Sequence, residues 1–219
     1  MSLSATSGTI EGKNKTMTFT VTRAGDGKIS VASSNTGIAT VAVSGTTVTV
    51  TSKAYGSATI TVSVAEGTNH KAPSNKTYAV TVDYMYLYKN GDQKTSLTGG
   101  WYTTASAIGS VAYNSNSITV TQTANAEDFV GCSTRNKIDL TNYNTIKINI
   151  TGFSQQSSSG QGHFSIANSS LTAQPVADVR IASSGTLTMD VSGITGSYYI
   201  SIWGYWTPKW SATFDKVYL

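Results

Sequence analysis

The chain is poor in charged residues and contains almost no cysteine. Of its 219 residues 12% are charged, about half the share that is usual for a soluble protein. A lone thiol, Cys132, excludes an internal disulfide framework. This thiol also has no His and Asn partners close to it in sequence, as a thiol protease of the papain type would need. We therefore expect an inert, half-buried cysteine in a strand.

Concentrated basic segments and long apolar runs are absent as well. The formal net charge is +4, and the tightest basic group is the pair Arg135 and Lys137. Nucleic-acid binding needs a concentrated basic face, so we expect no nucleic-acid partner. No apolar run is long enough to cross a bilayer, and no charged-then-apolar leader follows Met1. We therefore expect no membrane insertion.

Residues for acid–base or metal chemistry are few and scattered. His70 and His163 do not have the spacing of metal ligands. Glu127 and Asp128 are adjacent, so in a strand they would face opposite sides and could not flank one bond. We expect neither an enzyme nor a cofactor, and leave a structural calcium ion as an alternative. The carboxylates that could bind it are Asp92, Asp139 and Asp215.

What the sequence does contain is strict alternation of apolar and hydroxyl side chains. Residues 33–64 read SSNTGIATVAVSGTTVTVTSKAYGSATITVSV. Alternation with period two, broken by glycine turns, is typical of half-buried antiparallel strands. Residues 16–22, with Met17, Phe19 and Val21 predicted to point inward, show the same pattern. The sequence predicts an all-β fold.

The first half also resembles a known family. Residues 35–41 (NTGIATV), 48–50 (VTV) and 56–62 (GSATITV) are similar, in this order, to the bacterial immunoglobulin-like domain of group 2. The resemblance covers residues 1–83 and implies a seven-stranded immunoglobulin-like sandwich. It further implies a spacer or adhesion module of surface or phage virion proteins, without a catalytic site.

A change in composition places a domain boundary near residue 83. All four Trp and ten of the twelve Tyr lie beyond it. Eight or nine strands at the observed spacing predict a jelly-roll sandwich for residues 84–219. The clearest predicted strands are residues 118–121, 145–150, 163–167, 178–182, 187–191, 198–203 and 213–219.

This second half resembles the galactose-binding-like jelly-roll modules that are attached to surface enzymes and phage tail proteins. The segments that carry the resemblance are residues 87–91 (LYKNG), 97–101 (LTGGW), 137–143 (KIDLTNY), 146–148 (IKI) and 214–219 (FDKVYL). The resemblance implies the fold more than a particular ligand.

Tryptophans give the strongest functional signal. Trp203 alternates with Tyr199 and Ser201, which predicts that its ring packs inside the sandwich. Trp206 and Trp210 flank Pro208 in a predicted loop, and exposed loop indoles are what sugar rings stack on. The alternative is that both indoles close over the end of the sandwich or contact the first domain.

The predicted glycan platform adds four residues to these two tryptophans. Trp101 follows two glycines, which would aim its ring outward, although packing in the core is the alternative. Arg180 alternates with apolar residues and could equally belong to a solvated strand face. The complete predicted platform is Trp206, Trp210, Tyr205, Trp101, Arg180 and His163.

These observations favour a non-catalytic adhesion or recognition module that binds a glycan or cell-surface polysaccharide. We expect it to belong to a larger secreted bacterial or phage tail protein and to work outside the cell, at a cell surface or in a virion. The alternative is a purely structural spacer, part of virion or cell-wall architecture, that has no ligand of its own.

Overall fold

The fold was described from a computed structural model. It covers residues 1–104, 107–124, 128–156, 162–172, 174–204 and 209–219. The chain divides into two compact units, Met1–Met85 and Tyr86–Leu219, and this division falls two residues after the predicted boundary at residue 83. Nearly every regular element is a strand, which confirms the all-β prediction.

The first unit is a sandwich of two four-stranded sheets. Its strands are β1 Ser2–Leu3, β2 Ser7–Glu11, β3 Thr16–Thr22, β4 Ile29–Ser33, β5 Ala39–Ser44, β6 Thr47–Ser52, β7 Gly56–Val64 and β8 Lys76–Asp83. The sheet orders are β1-β3-β6-β5 and β2-β8-β7-β4. There are eight strands instead of the predicted seven, because the N-terminal segment first pairs with β3 and then runs parallel to β8.

Alternation explains how this unit folds. Phe19 and Val21 are buried and Met17 is half-buried, while the threonines between them face solvent. The Phe19 ring stacks on that of Tyr78, with centroids 4.1 Å apart, so the two sheets meet at this pair. Gly45 takes a φ of 58° between β5 and β6, a conformation that glycine adopts without steric cost and that turns the chain back within two residues.

The second unit is a sandwich with more strands. It contains β9 Tyr86–Lys89, α1 Thr95–Thr98, β10 Trp101–Thr104, β11 Gly109–Tyr113, β12 Ile118–Gln122, β13 Val130–Thr134, β14 Ile138–Asp139, β15 Thr145–Gln155, β16 Gly162–Ala167, β17 Ala177–Ile181, β18 Gly185–Asp190, β19 Ser197–Gly204 and β20 Trp210–Tyr218. Among the described residues, no helix is long and apolar enough to cross a bilayer.

Its strands form two sheets, which we call the front and the back sheet. The front sheet has the order β10-β13-β19-β16-β17, and β14 adds to β19. The back sheet has the order β11-β12-β20-β15-β18, and β9 adds to β20. Successive segments of the chain cross between the two sheets, as in a jelly roll. This agrees with the predicted order of an immunoglobulin-like sandwich followed by a jelly-roll sandwich.

Two details of the second unit differ from the sequence prediction. The last strand begins at Trp210 rather than at residue 213, so Trp210 belongs to a strand and not to a loop. Strands β10, β11 and β13 were not predicted. In β13 all five residues are buried, so its sequence lacks the apolar–polar contrast that marks a half-buried strand.

Candidate functional site

Two tryptophans of the predicted platform are buried, which corrects the expectation that their rings are exposed. Trp210 is 2% and Trp101 4% exposed. The Trp210 indole N–H donates to Oε1 of Gln122 over 3.1 Å, and that of Trp101 donates to the carbonyl of Leu87 over 3.4 Å. An indole with its N–H paired inside the protein and no exposed ring face cannot stack on a sugar.

The Trp210 ring also shows which face of the front sheet is the inner one. The ring lies against Gly162 in β16 and Gly204 in β19, where a Cβ atom would come within 2.6 Å and 2.4 Å of indole atoms, respectively. Because side chains alternate along a strand, the even-numbered residues of β19, including Ile200 and Ile202, face the core. The odd-numbered residues, including Trp203, face away from it. The prediction that Trp203 packs inside the sandwich is therefore wrong.

The outer face of the front sheet is built from two neighbouring rows of residues that run across all five strands. We call the first the tryptophan row: Thr104, Gly131, Trp203, His163 and Arg180. We call the second the serine row: Tyr102, Ser133, Ser201, Ser165 and Asp178. Within each row every residue is the register partner of the next, so the side chains are direct neighbours.

Trp203 anchors the tryptophan row. Its ring stacks on that of His163, with centroids 4.3 Å apart and planes 12° apart, and packs against Phe129 at 5.3 Å. Gly131 makes this possible, because a Cβ atom there would lie 2.7 Å from the Cα and Cβ of Trp203. Nδ1 of His163 lies 2.7 Å from Oδ2 of Asp178. This hydrogen bond fixes the imidazole in addition to its stacking on Trp203.

The serine row forms a rigid polar floor beside this stack. The indole N–H of Trp203 donates to Oγ of Ser165 over 2.8 Å, and Oγ of Ser201 donates to that of Ser133 over 2.9 Å. All three serines are buried. Hydrogen bonds among buried hydroxyls hold the floor in one arrangement.

Above this floor, tyrosine rings and charged groups reach solvent. Tyr102 is 42% exposed, and its hydroxyl accepts a hydrogen bond from Oγ1 of Thr104, 3.2 Å away along the same strand. Tyr199, on the same face of β19, is half-buried, and Asp178 and Arg180 are exposed. The arrangement is a wide, rigid strip with aromatic and hydrogen-bonding groups at its surface, and such a strip can bind a polar polymer.

Of the predicted platform, the structure brings two residues together. His163 and Arg180 are register partners in adjacent strands of the front sheet. Tyr205 and Trp206 lie outside the described residues. The exposed Tyr102 and the half-buried Tyr199 lie on this face but are not among the predicted site residues. The odd-numbered alternation of Tyr199, Ser201 and Trp203 could have indicated Tyr199, if the more apolar partners Ile200 and Ile202 had been assigned to the core.

A concave region lies on the outer side of the back sheet. It is a shallow groove of about 300 Å³ whose lining includes Thr121, Gln155, Gln156, Lys209 and Ser211. Oγ1 of Thr121 and Oγ of Ser211 lie 3.1 Å apart in its floor. Among its described lining residues the one aromatic, Trp210, exposes almost no surface, so these residues offer amides, hydroxyls and the Lys209 ammonium group but no ring for stacking.

Titratable groups in the described part of the chain do not form a reactive cluster. No three His, Cys, Asp or Glu side chains come together there as ligands for a metal ion. Asp92 is paired with Lys94, Asp139 accepts hydrogen bonds from Thr141, and Asp215 accepts one from Asn149. The structural calcium ion therefore stays a prediction.

The lone thiol is enclosed by the sandwich. Cys132 is fully buried in β13, not half-buried as expected. Burial raises the pKa of this thiol well above its usual range, because the thiolate would lose its hydration. Cys132 is therefore a packing residue.

Comparisons with known proteins leave the family open. No family model matches the chain, and no curated protein matches it. Solved structures similar to it include a mutant of CBM29-2, a family 29 carbohydrate-binding module. This likeness has a TM-score of 0.39 and 12% identity, and covers 62% of this chain and 91% of the module.

Two larger structures are similar over most of this chain but over less than half of their own length. The secreted serine protease VesC from Vibrio cholerae has a TM-score of 0.37 and 9% identity, and 97% of this chain covers 49% of it. The CBM51-2 and INT domains of ZmpB from Clostridium perfringens have a TM-score of 0.28 and 15% identity. This likeness covers 91% of this chain and 44% of the other. Likenesses at this level carry no argument about a ligand. The resemblance of residues 1–83 to the group 2 bacterial immunoglobulin-like domain stays a prediction.

Proposed function

We propose that the second unit is a non-catalytic glycan-recognition module and that its binding site is the outer face of the front sheet. The observation that carries this proposal is the pair of adjacent rows across five strands. One row stacks His163 on Trp203, and the other places hydrogen-bonded serines between Tyr102 and Asp178. A polysaccharide offers apolar C–H faces and hydroxyl groups in alternation, and this strip offers rings and polar groups side by side.

The contacts would come from the exposed members of the face. The Tyr102 ring would stack on a sugar, while Arg180 and Asp178 would bond to hydroxyl groups. The buried serines and Trp203 would act as positioning residues, because their packing fixes the groups above them. Rigid sites bind with a smaller loss of conformational entropy than mobile loops do.

Glycan-array screening followed by affinity electrophoresis tests the proposal. Tyr102→Ala should weaken polysaccharide binding about tenfold, which corresponds to about 1.4 kcal/mol. The control is Tyr55→Ala, because Tyr55 is a partly exposed tyrosine of the first unit and lies outside the proposed site. Near-UV circular dichroism checks that both variants remain folded. Equal loss in both variants, or no loss in Tyr102→Ala, would contradict a site on this face.

We further propose that the first unit is a spacer and that the chain acts outside the cell, at a cell surface or in a virion. Its apolar side chains are collected in one core between the two sheets, and its exposed strand positions are mostly threonine and serine. A spacer followed by a recognition module is the arrangement that we expect in a larger secreted bacterial or phage tail protein.

A purely structural role for the second unit is the competing function, and one observation favours it. Trp101, Trp203 and Trp210 are all buried, as expected of a sandwich whose tryptophans only hold it together. If the array detects no glycan, and tryptophan emission is unchanged by every polysaccharide tested, the structural role is the better explanation.

A further inference from the structure

Two exposed cations lie at the outer face of the front sheet. Arg135 follows β13 and Lys137 precedes β14, and both are exposed. The guanidinium carbon of Arg135 lies 6.0 Å from the ring centroid of Tyr102, and Nζ of Lys137 lies 5.5 Å from that of Tyr199. Neither cation forms a salt bridge with a described residue.

Each cation lies beside a tyrosine ring of the proposed site: Arg135 beside Tyr102 and Lys137 beside Tyr199. A cation over an aromatic ring is attracted to its face, so each charge is kept beside a surface on which a sugar would stack. A third cation, Arg180, lies in the tryptophan row at the opposite edge of the sheet. With neighbouring strands about 4.8 Å apart, the face extends about 19 Å from β10 to β17.

The carboxylates on this face are already engaged. Oδ2 of Asp178 lies 2.7 Å from Nδ1 of His163. Asp139, opposite Ser197 in the register of β14 and β19, accepts hydrogen bonds from the N–H and hydroxyl of Thr141 at 3.0 and 2.6 Å. Among the described residues, neither of these carboxylates pairs with Arg135 or Lys137.

From this arrangement we infer that the face selects acidic glycans, which carry carboxylate or sulfate groups. The inference rests on the proposed function of the same site. Arg135 would donate to the anionic group through its planar guanidinium, which matches a carboxylate with two parallel hydrogen bonds. Lys137, beside Tyr199, would bind a second anionic group of the polymer, while the tyrosine rings contact the sugars.

The test compares glycans that share a backbone and differ in charge. Polygalacturonate is paired with its fully methyl-esterified form, and hyaluronate with its methyl ester. Binding to the intact chain is measured by isothermal titration at low and at high NaCl. A charge-assisted hydrogen bond corresponds to about a tenfold change in affinity. We expect at least one acid form to bind about tenfold more tightly than its ester, and high salt to reduce the difference.

Variants assign the effect to the two cations. Arg135→Gln and Lys137→Gln should each reduce the preference for the acid form and leave binding of the ester unchanged. The matched control is Lys147→Gln, since Lys147 lies in β15 of the back sheet, between Thr188 and Tyr218. This control should keep the full preference.

The remaining outcomes separate the inference from the proposed function. Equal binding of acid and ester would overturn the acidic selectivity and leave glycan recognition standing. If no glycan binds in either form, glycan recognition fails and the inference fails with it. A single-stranded oligonucleotide that binds as tightly as the acid glycan would show a general polyanion site and would overturn the selectivity for glycans.

Discussion

The indole of Trp210 lies directly against the backbone of Gly162, and a Cβ atom at position 162 would be 2.6 Å from Cζ3 and Cη2 of the ring. The two residues belong to opposite sheets of the second unit. The contact therefore fixes how closely the sheets approach, because interiors are packed as densely as organic crystals.

Replacing this glycine should destabilise the second unit. Gly162→Ala overpacks the core against Trp210 and should lower the free energy of unfolding by about 1–3 kcal/mol. The control is Gly152→Ala in β15, where a Cβ atom would meet Thr213 at an ordinary 3.6 Å. Urea unfolding followed by tryptophan fluorescence measures both, because all four tryptophans lie in the second unit. A Gly162→Ala variant as stable as the control would contradict this packing.

Tryptophan emission should be shielded from solvent once Trp206 is removed. In a Trp206→Phe variant the remaining indoles are Trp101, Trp203 and Trp210, none more than 4% exposed. We expect blue-shifted emission that acrylamide quenches weakly in the native state and strongly in urea. Strong quenching of the native variant would show that at least one of these rings is open to solvent.

Cys132 should not react with thiol reagents while the protein is folded. It is fully buried, so the reagent cannot reach it. Burial also raises the pKa of its thiol, so little of the reactive thiolate forms. Maleimide labelling followed by mass spectrometry should give no adduct in buffer and one adduct in urea. Ser197→Cys, at an exposed position on β19, supplies the positive control, because its added thiol should react in buffer. Stoichiometric labelling of the native wild-type protein would contradict the buried position.

Asp26 should stabilise the first unit at neutral pH and not at low pH. Its carboxylate accepts hydrogen bonds from the hydroxyl and N–H of Thr68 at 2.7 and 2.9 Å. These bonds hold the pKa of Asp26 below its ordinary value of 3.8. A lowered folded-state pKa adds stability that is fully present above the unfolded-state pKa and is lost as pH falls through the folded-state pKa.

Asp26→Ala should therefore be less stable than the wild type from about pH 5 upward, and the difference should vanish at about pH 2. Urea unfolding of the first unit, followed by far-UV circular dichroism at several pH values, measures this difference. Thr68→Val removes the hydroxyl donor and should reproduce part of the loss at neutral pH. A difference between wild type and Asp26→Ala that persists at low pH would contradict a role for the ionised carboxylate.

Local patterns predicted the strands of the first unit well, because one face of each strand is apolar and the other hydroxylated. Phe19 and Val21 are buried as predicted. The same rule failed for β19, where both faces carry large or apolar residues. Trp203 was assigned to the core, although Ile200 and Ile202 occupy it. Alternation identifies two faces but does not say which one is inside when both are bulky.

The candidate site could be predicted less well than the strands. The position of Trp210 beside Pro208, between the last two predicted strands, favours a loop, but its alternation with Ala212 and Phe214 continues the last strand inward. The serine row joins residues up to 99 positions apart in sequence, from Tyr102 to Ser201, by strand register. Register between distant strands depends on tertiary packing, which no local pattern contains.

Strands β10, β13, β19, β16 and β17 of the front sheet each supply one residue to the tryptophan row and one to the serine row. Neither row exists in any single hairpin of the chain. Peptides cut from the second unit should therefore show no trace of the proposed glycan binding, and deleting any central strand should abolish it in one step. The proposed binding face is a property of the assembled sheet, gained and lost together with folding.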